Sequence, residues 1–517
     1  MERRLRDLLS GLAGVAAGSF PDCLVTGVAE DSRRVLPGSL FVAVPGAVAD
    51  GHQFILEAVR AGACAVVGEK PVGDLKVPYI RVPDSRQALG LLAAGWWGFP
   101  ARKMVMIGVT GTDGKTTTCS LILEILRQGG LSAGMISTVH ALIGEEELDT
   151  GFHVTTPGAL DLQPLLARMV QTGITHCVLE VTSHALAQRR VEGCEFDIGA
   201  VTNITREHLD YHGSFEAYRE AKSRMVAGLG NSSPKPYTYR KLAVLNREDP
   251  SFEFLQSRST AEVLSYGRSD RSQVRGTDLS VGPAGLEMRV QIRGANLRIH
   301  SPLLGAYNAF NVLAAVGVTA GALDLPAEAV TKGVHALRSV PGRMELIDLG
   351  QDFTAIVDFA HTPNALEAAL RAARGLTRGR LIAVFGSAGL RDREKRSTMA
   401  RISVELADFT LLTAEDPRTE DVHEILTEMA SGATGGGGVE GKTFWSIPDR
   451  SQAILAAVEL AGPGDLVIVC GKGHEQSMCF GDVEYPWDDR LAVRAALAQR
   501  LHLAGWAMPH LPTWGTR

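Results

Sequence analysis

Residues 105–118 read VMIGVTGTDGKTTT, and this stretch decides the fold. The apolar run Val105 to Val109 passes straight into the turn Gly111-Thr112-Asp113-Gly114, and helix-forming residues begin near Lys115. A strand covered on both faces reads as a continuous apolar run, as in a parallel sheet. A glycine turn between such a strand and a helix aims backbone N–H groups and the helix N-terminus at phosphate oxygens. Lys115 adds a mobile positive charge, and the Thr116 hydroxyl is a candidate magnesium ligand. The spacing departs from GxxxxGK[ST], because Val109 stands where the first glycine belongs. The bland alternative is a glycine-rich helix start with an exposed lysine; the strand–turn–helix context favours a phosphate loop.

Downstream of the loop, buried-strand candidates recur at His176–Val181, Ile198–Ile204 and Leu242–Asn246, with helical patterns between them. That alternation predicts a mainly parallel sheet. A further series follows Pro341-Gly342-Arg343, with strands at Ala355–Ala360, Leu381–Gly386, Phe409–Thr413 and Leu466–Cys470. Helices are expected between them, for example at Asn364–Arg374 and Arg393–Leu406. It predicts a smaller, doubly wound Rossmann-like sheet. Upstream, short β-rich runs such as Ser39–Val44 and Cys64–Val67 precede a helix over Ser85–Trp97, which ends at Gly98-Phe99-Pro100. The fold class is α/β with three domains at 1–100, 101–338 and 339–517, and hinges are expected near Pro100 and Pro341. No repeat of fixed period is present. GATGGGG at 432–438 reads as a flexible loop.

At ~150 residues per domain, 517 residues agree with three domains. The chain is 45% hydrophobic and 21% charged, a globular balance. A net charge of -6 leaves no basic excess to grip nucleic acid or an anionic membrane. The most apolar stretch, Leu89 to Phe99, is too short to span a bilayer. The N-terminus superficially imitates a signal peptide, but Glu2 and Asp7 dilute its positive start and no clean cleavage site follows. Seven scattered cysteines form no CxxC pair, so reduced thiols and a cytoplasmic location are expected.

A magnesium nucleotide needs further ligands. Glu180 ends the strand HCVLE, and His208 lies in NITREHLDYHG just beyond another strand, so both belong to the carboxyl edge where ligands bind. Alone, each is as readily a surface acid or a turn histidine. Lys222 lies in the amphipathic FEAYREAKSRM, where a lone helical lysine ordinarily faces solvent.

GVTGTDGKTTT, EVTSHAL, NITREHLDYHGSFEAYREAKSRM, VPGRME, VDFAHTP, GSAGLRDREKR, EDPRTED and GKGHE stand in the order found in Mur ligases. The resemblance runs from about Asp31 to Arg490 and is closest to the MurE type. That type adds the third, diamino residue of the peptidoglycan stem to UDP-N-acetylmuramoyl-L-alanyl-D-glutamate. The resemblance implies an N-terminal domain for the uridine nucleotide, a central ATP domain and a C-terminal domain for the amino acid. It implies ATP as co-substrate, two Mg2+ ions, and carbon dioxide held as a carbamate on Lys222. An ammonium cannot ligate a metal, whereas a carbamate resembles Asp or Glu. Thr116 and Glu180 would serve one ion, and His208 and carbamylated Lys222 the other.

By the same resemblance, Gly111, Thr112, Asp113, Gly114, Lys115, Thr116, Thr117, Asn311, Arg343 and Asp358 match ATP contacts. Ser32, Thr155, Thr156, Thr182, Gln188 and Arg190 match contacts to the UDP-substrate; position 182 is usually serine. Arg391, Asp416, Arg418, Gly471 and Glu475 match the amino-acid site. Ligases selecting meso-diaminopimelate usually read Asp-Asn-Pro-Arg where this chain has Glu415-Asp416-Pro417-Arg418. The guanidinium groups favour meso-diaminopimelate, which has a carboxylate at each end, while Asp416 suits the terminal ammonium of L-lysine or L-ornithine. Arg418 could pair with Asp416 and cancel it. The expected protein is a monomeric ligase with Lys115, Glu180, His208 and Lys222 at its catalytic centre. Rivals are folylpolyglutamate synthase, the ligase that adds D-alanyl-D-alanine, a phosphate-loop switch, and a non-catalytic module; EDPR and GKGHE argue against the first two.

Overall fold

The structure, a computed structural model, describes residues 2–46, 49–148, 155–231, 233–237 and 239–513. It divides into two compact units, residues 1–274 with 314–330, and residues 275–313 with 331–517.

The first unit opens with a parallel sheet of Gly27–Ala29, Ser39–Val42, Ala65–Gly68 and Tyr79–Arg81, in chain order. Period-two alternation sorts its side chains. Leu40, Val42 and Val67 pack with Leu89, Leu92 and Trp96 of the helix Ser85–Trp96, while Phe41 and Val66 pack with Ile55 and Ala58 on the other face. Asp84 caps that helix, accepting from the Gln87 N–H at 2.9 Å.

In the larger sheet of this unit, Ala133–Ile136, His176–Glu180, Val105–Thr110, Ile198–Val201, Leu242–Asn246 and Glu262–Gly267 lie side by side and parallel. An antiparallel hairpin, Ala141–Ile143 with Glu146–Leu148, borders it. Val105–Thr110 is buried along its whole length, as its apolar run requires. The chain lays its next two parallel strands to one side of Val105–Thr110 and the following ones to the other. The order therefore reverses at the carboxyl end of Val105–Thr110, where open parallel sheets bind ligands. The register sets Glu180 opposite Val109, and Val201 opposite Thr110, so their loops leave from one edge.

Gly108 has a specific packing role in that strand. A Cβ there would come within 3.0 Å of both Met225 Sδ and the Phe196 ring. Its absence lets the helix Phe215–Ala227, which carries Lys222, lie close over the strand.

In the second unit the sheet order is Glu345–Leu346, Thr354–Asp358, Leu466–Cys470, Leu381–Phe385, Phe409–Leu412 and Phe444–Ser446. All pairs are parallel except the first. Val357, Val384 and Val469 pack against Ala453, Val493 and Leu497 on one face, while Ile356, Phe385 and Ile468 pack against Leu370, Met399 and Met429 on the other. This unit also holds an antiparallel ribbon, Gly285–Ile292 with Ala295–Ser301, which the sequence reading passed over. Its signals are alternate burial of Leu286, Met288, Val290 and Ile292, and the Arg293-Gly294 turn with φ of 48° and 81°.

One expectation is corrected. Of 432–438, residues 432–435 form the end of the helix Val422–Gly435, and only the residues after it turn. Gly432 lies against the helix Glu394–Leu406 so closely that a Cβ would meet the Ser397 carbonyl oxygen at 2.2 Å. Close helix contact, not flexibility, explains that glycine. Among the described residues no helix is long and apolar enough to cross a membrane.

Candidate active site

The turn after Val105–Thr110 is built as a cradle. Gly111 has φ 148°, and a Cβ there would sit 1.8 Å from Thr202 Oγ1. Gly114 has φ 80° and begins the helix Lys115–Gln128 in the left-handed region that glycine tolerates. The neighbouring strand end pins the loop. The Thr112 N–H donates to the Asn203 carbonyl at 2.8 Å, the Asp113 N–H to Asn203 Oδ1 at 2.9 Å, and Thr202 Oγ1 to the Asp113 carbonyl at 2.6 Å. Thr112 Oγ1 lies 2.9 Å from the Tyr218 hydroxyl. Asn203, Thr202 and Tyr218 were not singled out from sequence, although Asn203 and Tyr218 stand inside quoted motifs. Lys115 Nζ folds back onto the Thr112 carbonyl at 2.7 Å.

Glu180 is buried and accepts from Thr116 Oγ1 at 2.9 Å and from the Thr138 N–H at 3.1 Å. Lys222, 1% exposed, donates from Nζ to the Gly111 carbonyl at 2.6 Å. Burial, and next the Lys115 cation, push its pKa well below the usual lysine range. The solvent-facing reading of a helical lysine fails here, because the helix turns that side of itself onto the loop. His208 adopts φ 54° and forms an aromatic group with His184, Tyr211, His212 and Tyr218. Burial, with Lys115 and Lys222, lowers His208 to about 4, so its ring is neutral at pH 7.

Four residues expected at the UDP-substrate interlock. Thr156 Oγ1 donates to the Glu180 carbonyl at 2.9 Å and accepts the Thr182 N–H at 3.1 Å. Arg190 Nη1 donates to the Thr156 carbonyl at 2.9 Å, and its Nε and Nη2 reach Gln188 Oε1 at 3.0 and 2.7 Å. Gln188 Nε2 in turn donates to the Tyr211 hydroxyl at 3.1 Å. Thr182 also caps the helix Ser183–Ala187. Thr155 is half-buried beside Thr156. Ser32 is buried at the start of the turn Ser32–Arg34, capped by Asp31.

The second unit holds the remaining residues, in its strand-end loops and one helix. Asp358 ends its strand and accepts the N–H groups of Met344 and Ala360 at 2.7 and 2.8 Å, tying the Arg343 segment to the sheet edge. The Arg343 guanidinium stacks 4.2 Å over Phe359, and its Nε is buried without a hydrogen bond. Asn311 is buried in the helix Asn308–Val316 and donates to Asn308 Oδ1 at 2.7 Å.

The EDPR and GKGHE segments follow the strands Phe409–Leu412 and Leu466–Cys470, which flank Leu381–Phe385 in one sheet, and they meet at its carboxyl edge. Lys472, which sequence reading did not single out, is 2% exposed and pairs with Asp416 at 2.9 Å and Glu475 at 2.5 Å. Burial works against its charge, but Glu475 and Asp416 outweigh that and hold its pKa above the usual value. Burial raises Glu475, and it raises Glu415 to about 7. Gly471, at φ 114°, leaves room for Glu415, whose Oε2 would lie 2.4 Å from a Cβ. Asp416 and Arg418 both have positive φ, and Arg391 is exposed before the helix Glu394–Leu406. Beneath them Arg450, fully buried, donates to the carbonyls of Ala414 at 3.1 Å and Cys470 at 2.7 Å and pairs with Asp489. It locks the two strand ends that launch EDPR and GKGHE.

A loop of backbone donors with Lys115, beside a hydroxyl–carboxylate pair, suits a magnesium-bound polyphosphate. Among the described residues no group of three or more His, Cys, Asp or Glu is set to hold a metal. Magnesium does not need one, since it takes one or two carboxylates and fills its shell with phosphate oxygens and water. Thr116 and Glu180 therefore fit the ion.

The chain matches the Mur ligase family catalytic domain over residues 24–97, the Mur ligase middle domain over 109–319 and the Mur ligase glutamate ligase domain over 342–473. It is 40% identical to the UDP-N-acetylmuramoyl-L-alanyl-D-glutamate--2,6-diaminopimelate ligase of Geobacillus thermodenitrificans over 501 residues, 96% of this chain and 100% of that protein. It is 43% identical to the UDP-N-acetylmuramyl-tripeptide synthetase of Roseiflexus sp. over 504 residues, 96% and 99% of the two. A solved UDP-N-acetylmuramoyl-L-alanyl-D-glutamate--2,6-diaminopimelate ligase superposes with a TM-score of 0.68 at 30% identity, covering 97% of this chain and 100% of that one. MurF from Acinetobacter baumannii, at 18% identity and a TM-score of 0.62 over 97% and 99% of the two chains, shares the fold.

Proposed function

The chain belongs to the Mur ligase family, and from that premise we propose that it joins a diamino acid to UDP-N-acetylmuramoyl-L-alanyl-D-glutamate in peptidoglycan synthesis. The observation that carries the reading is the meeting of Lys222, the Thr116–Glu180 pair and the phosphate loop at one sheet edge. In the reaction the D-glutamyl γ-carboxylate attacks the γ-phosphate of ATP, releasing ADP and leaving an acyl phosphate. The amine of the incoming amino acid then displaces phosphate through a tetrahedral intermediate and loses a proton.

Phosphoryl transfer of this kind asks the protein chiefly for positioning and charge neutralisation. The helix-start N–H groups from Gly114 to Thr117 and the Lys115 ammonium hold the phosphates, while Asn203 fixes the loop through the Thr112 and Asp113 N–H groups; Arg343 is a further cation and Asn311 and Asp358 are nucleotide contacts. Bound Mg2+, as two ions, would neutralise the phosphate charge, with Thr116 and Glu180 at one and His208 and Lys222 at the other. His208, neutral at pH 7, has a ring nitrogen free of a proton for that purpose. Lys222 would serve as its carbamate. A lysine whose proton is easily lost is the nucleophilic form that adds to carbon dioxide, with release of one proton.

Ser32, Thr155, Thr156, Thr182, Gln188 and Arg190 are assigned to the UDP-substrate. Arg391, Asp416, Arg418, Gly471 and Glu475 are assigned to the amino acid. The domains are 1–100 for the uridine nucleotide, 101–338 for ATP and 339–517 for the amino acid, in a monomeric cytoplasmic enzyme. Meso-diaminopimelate is the favoured amino acid, because Asp416, the residue that argued for lysine or ornithine, is paired with Lys472.

The test is incubation with the UDP-dipeptide, ATP and magnesium, adding meso-diaminopimelate, L-lysine or L-ornithine in turn and weighing the products. ADP release should require both the UDP-dipeptide and an amino acid. Release without either would identify a nucleotide switch, and no release under any condition a non-catalytic module.

A further inference from the structure

Lys472 is a buried cation that neither phosphate binding nor metal binding accounts for. Its Nζ lies 2.9 and 3.0 Å from the two oxygens of Asp416 and 2.5 Å from Glu475 Oε2. A buried ammonium is costly unless paired, and these carboxylates supply the pairing. Asp416 is committed from its other side as well, since its Oδ1 accepts the Cys479 N–H at 2.9 Å. Arg418 stands two residues on. Its backbone N–H donates to the Cys479 carbonyl at 3.1 Å, and its carbonyl accepts the Gly481 N–H at 2.7 Å. Its Nε is buried with no hydrogen-bond partner. Among the described residues the cation on Asp416 is therefore Lys472 and not Arg418.

We propose that Lys472 is a specificity-determining positioning residue, which neutralises Asp416 and so leaves the Arg418 guanidinium to pair with the second carboxylate of a diamino dicarboxylic acid. This rests on the ligase reading above. An unpaired Asp416 would compete for Arg418 and attract the terminal ammonium of a diamino monocarboxylic acid instead. Lys472 acts through Asp416 and Arg418 and touches no reacting atom.

The experiment compares kcat/KM for meso-diaminopimelate and for L-lysine in the full chain, with the UDP-dipeptide, ATP and magnesium saturating. The wild-type chain is measured first. No tripeptide with meso-diaminopimelate, L-lysine or L-ornithine overturns the ligase reading itself, and a preference for lysine overturns only the proposal. Lys472→Met keeps the stem and removes the charge. It should lower the preference for meso-diaminopimelate by at least about fivefold, or ~1 kcal/mol. The loss should fall mainly in KM for that substrate, with KM for ATP unchanged, a split that general loosening would not produce. Adding Asp416→Asn to Lys472→Met should restore most of the lost preference. Asp416→Asn alone should shift the preference by less than about fivefold, because that carboxylate is already paired with Lys472. A smaller effect of Lys472→Met, no restoration in the double variant, or a larger gain from Asp416→Asn alone would each overturn the proposal. If Lys472→Met does not fold, the Asp416→Asn result decides it.

Discussion

A buried lysine can be held charged by carboxylates or have its charge disfavoured by its surroundings, and this chain contains both. Lys472 is paired with Asp416 and Glu475 and keeps its proton. Lys222 donates to a carbonyl beneath the phosphate loop, where burial, and next the Lys115 cation, weaken its hold on the proton. Only the second is prepared to react with carbon dioxide. Lys222→Ala should accordingly lower turnover by a factor on the order of 10² or more, as loss of a single electrostatic stabiliser does. Its melting midpoint should stay near that of the wild type, and added short carboxylic acids should recover part of the rate by filling the emptied ligand position. An alanine variant with wild-type turnover at saturating ATP would remove Lys222 from the mechanism.

His176 gives a second residue-scale expectation, this one for stability. It is buried at the start of its strand, with Nδ1 2.8 Å from Thr175 Oγ1 and Nε2 unpartnered. Burial lowers it from 6.5 to about 4, although the Asp197 carboxylate pulls the other way. Between those values the unfolded chain binds a proton that the folded chain refuses, so stability is full above 6.5 and is lost as pH falls towards 4. The limit of that loss is about 3 kcal/mol. Urea unfolding across this range should show a shallower pH slope in His176→Gln than in the wild type; equal slopes would place the acid sensitivity elsewhere.

At the scale of elements, glycines decide how closely helices and strands approach. Gly108 admits the Lys222 helix to the central strand, and Gly432 admits the Ser397 turn of one helix to the backbone of another. The sequence run GATGGGG reads as flexible because glycine weakens a helix by about 1 kcal/mol relative to alanine. Here tertiary contact overrides that preference. Gly432→Ala would regain the ~1 kcal/mol of propensity but would press a methyl group against the Ser397 carbonyl. Overpacking costs ~1–3 kcal/mol, and backbone cannot swing aside as a side chain can. A net loss of up to about 2 kcal/mol is expected from denaturant midpoints. A more stable alanine variant would show that the helices separate freely.

At the scale of the whole molecule, each parallel sheet gathers its functional loops at the carboxyl ends of its strands. Glu180 and Gly111 leave one such edge, and Asp358, Glu415 and Gly471 leave the other. Binding at these edges stabilises the folded chain through mass action. A non-hydrolysable ATP analogue with magnesium, at 100 times its Kd, should add about 2.7 kcal/mol of stability. Calorimetry should therefore show a midpoint that climbs with nucleotide concentration and falls back when magnesium is chelated. A midpoint indifferent to nucleotide would dismiss the phosphate loop as a binding site.

What the sequence determined by itself is what short range decides. Apolar runs of strand length, helical periods and the Gly111–Gly114 turn placed the parallel sheets and the loop at the correct residues, because each depends on neighbours within a few positions. Motif order added the family and the candidate residues. The tertiary structure alone decided the state of the charges. Lys222 lies 111 positions from the carbonyl it meets, and Lys472 lies 56 from the aspartate it cancels. A helical lysine faces solvent or core according to what packs over it, and an aspartate is an anion or half of an ion pair according to what lies across the sheet edge. Electrostatic energy depends on distance and burial in space, and no local period in the chain encodes either.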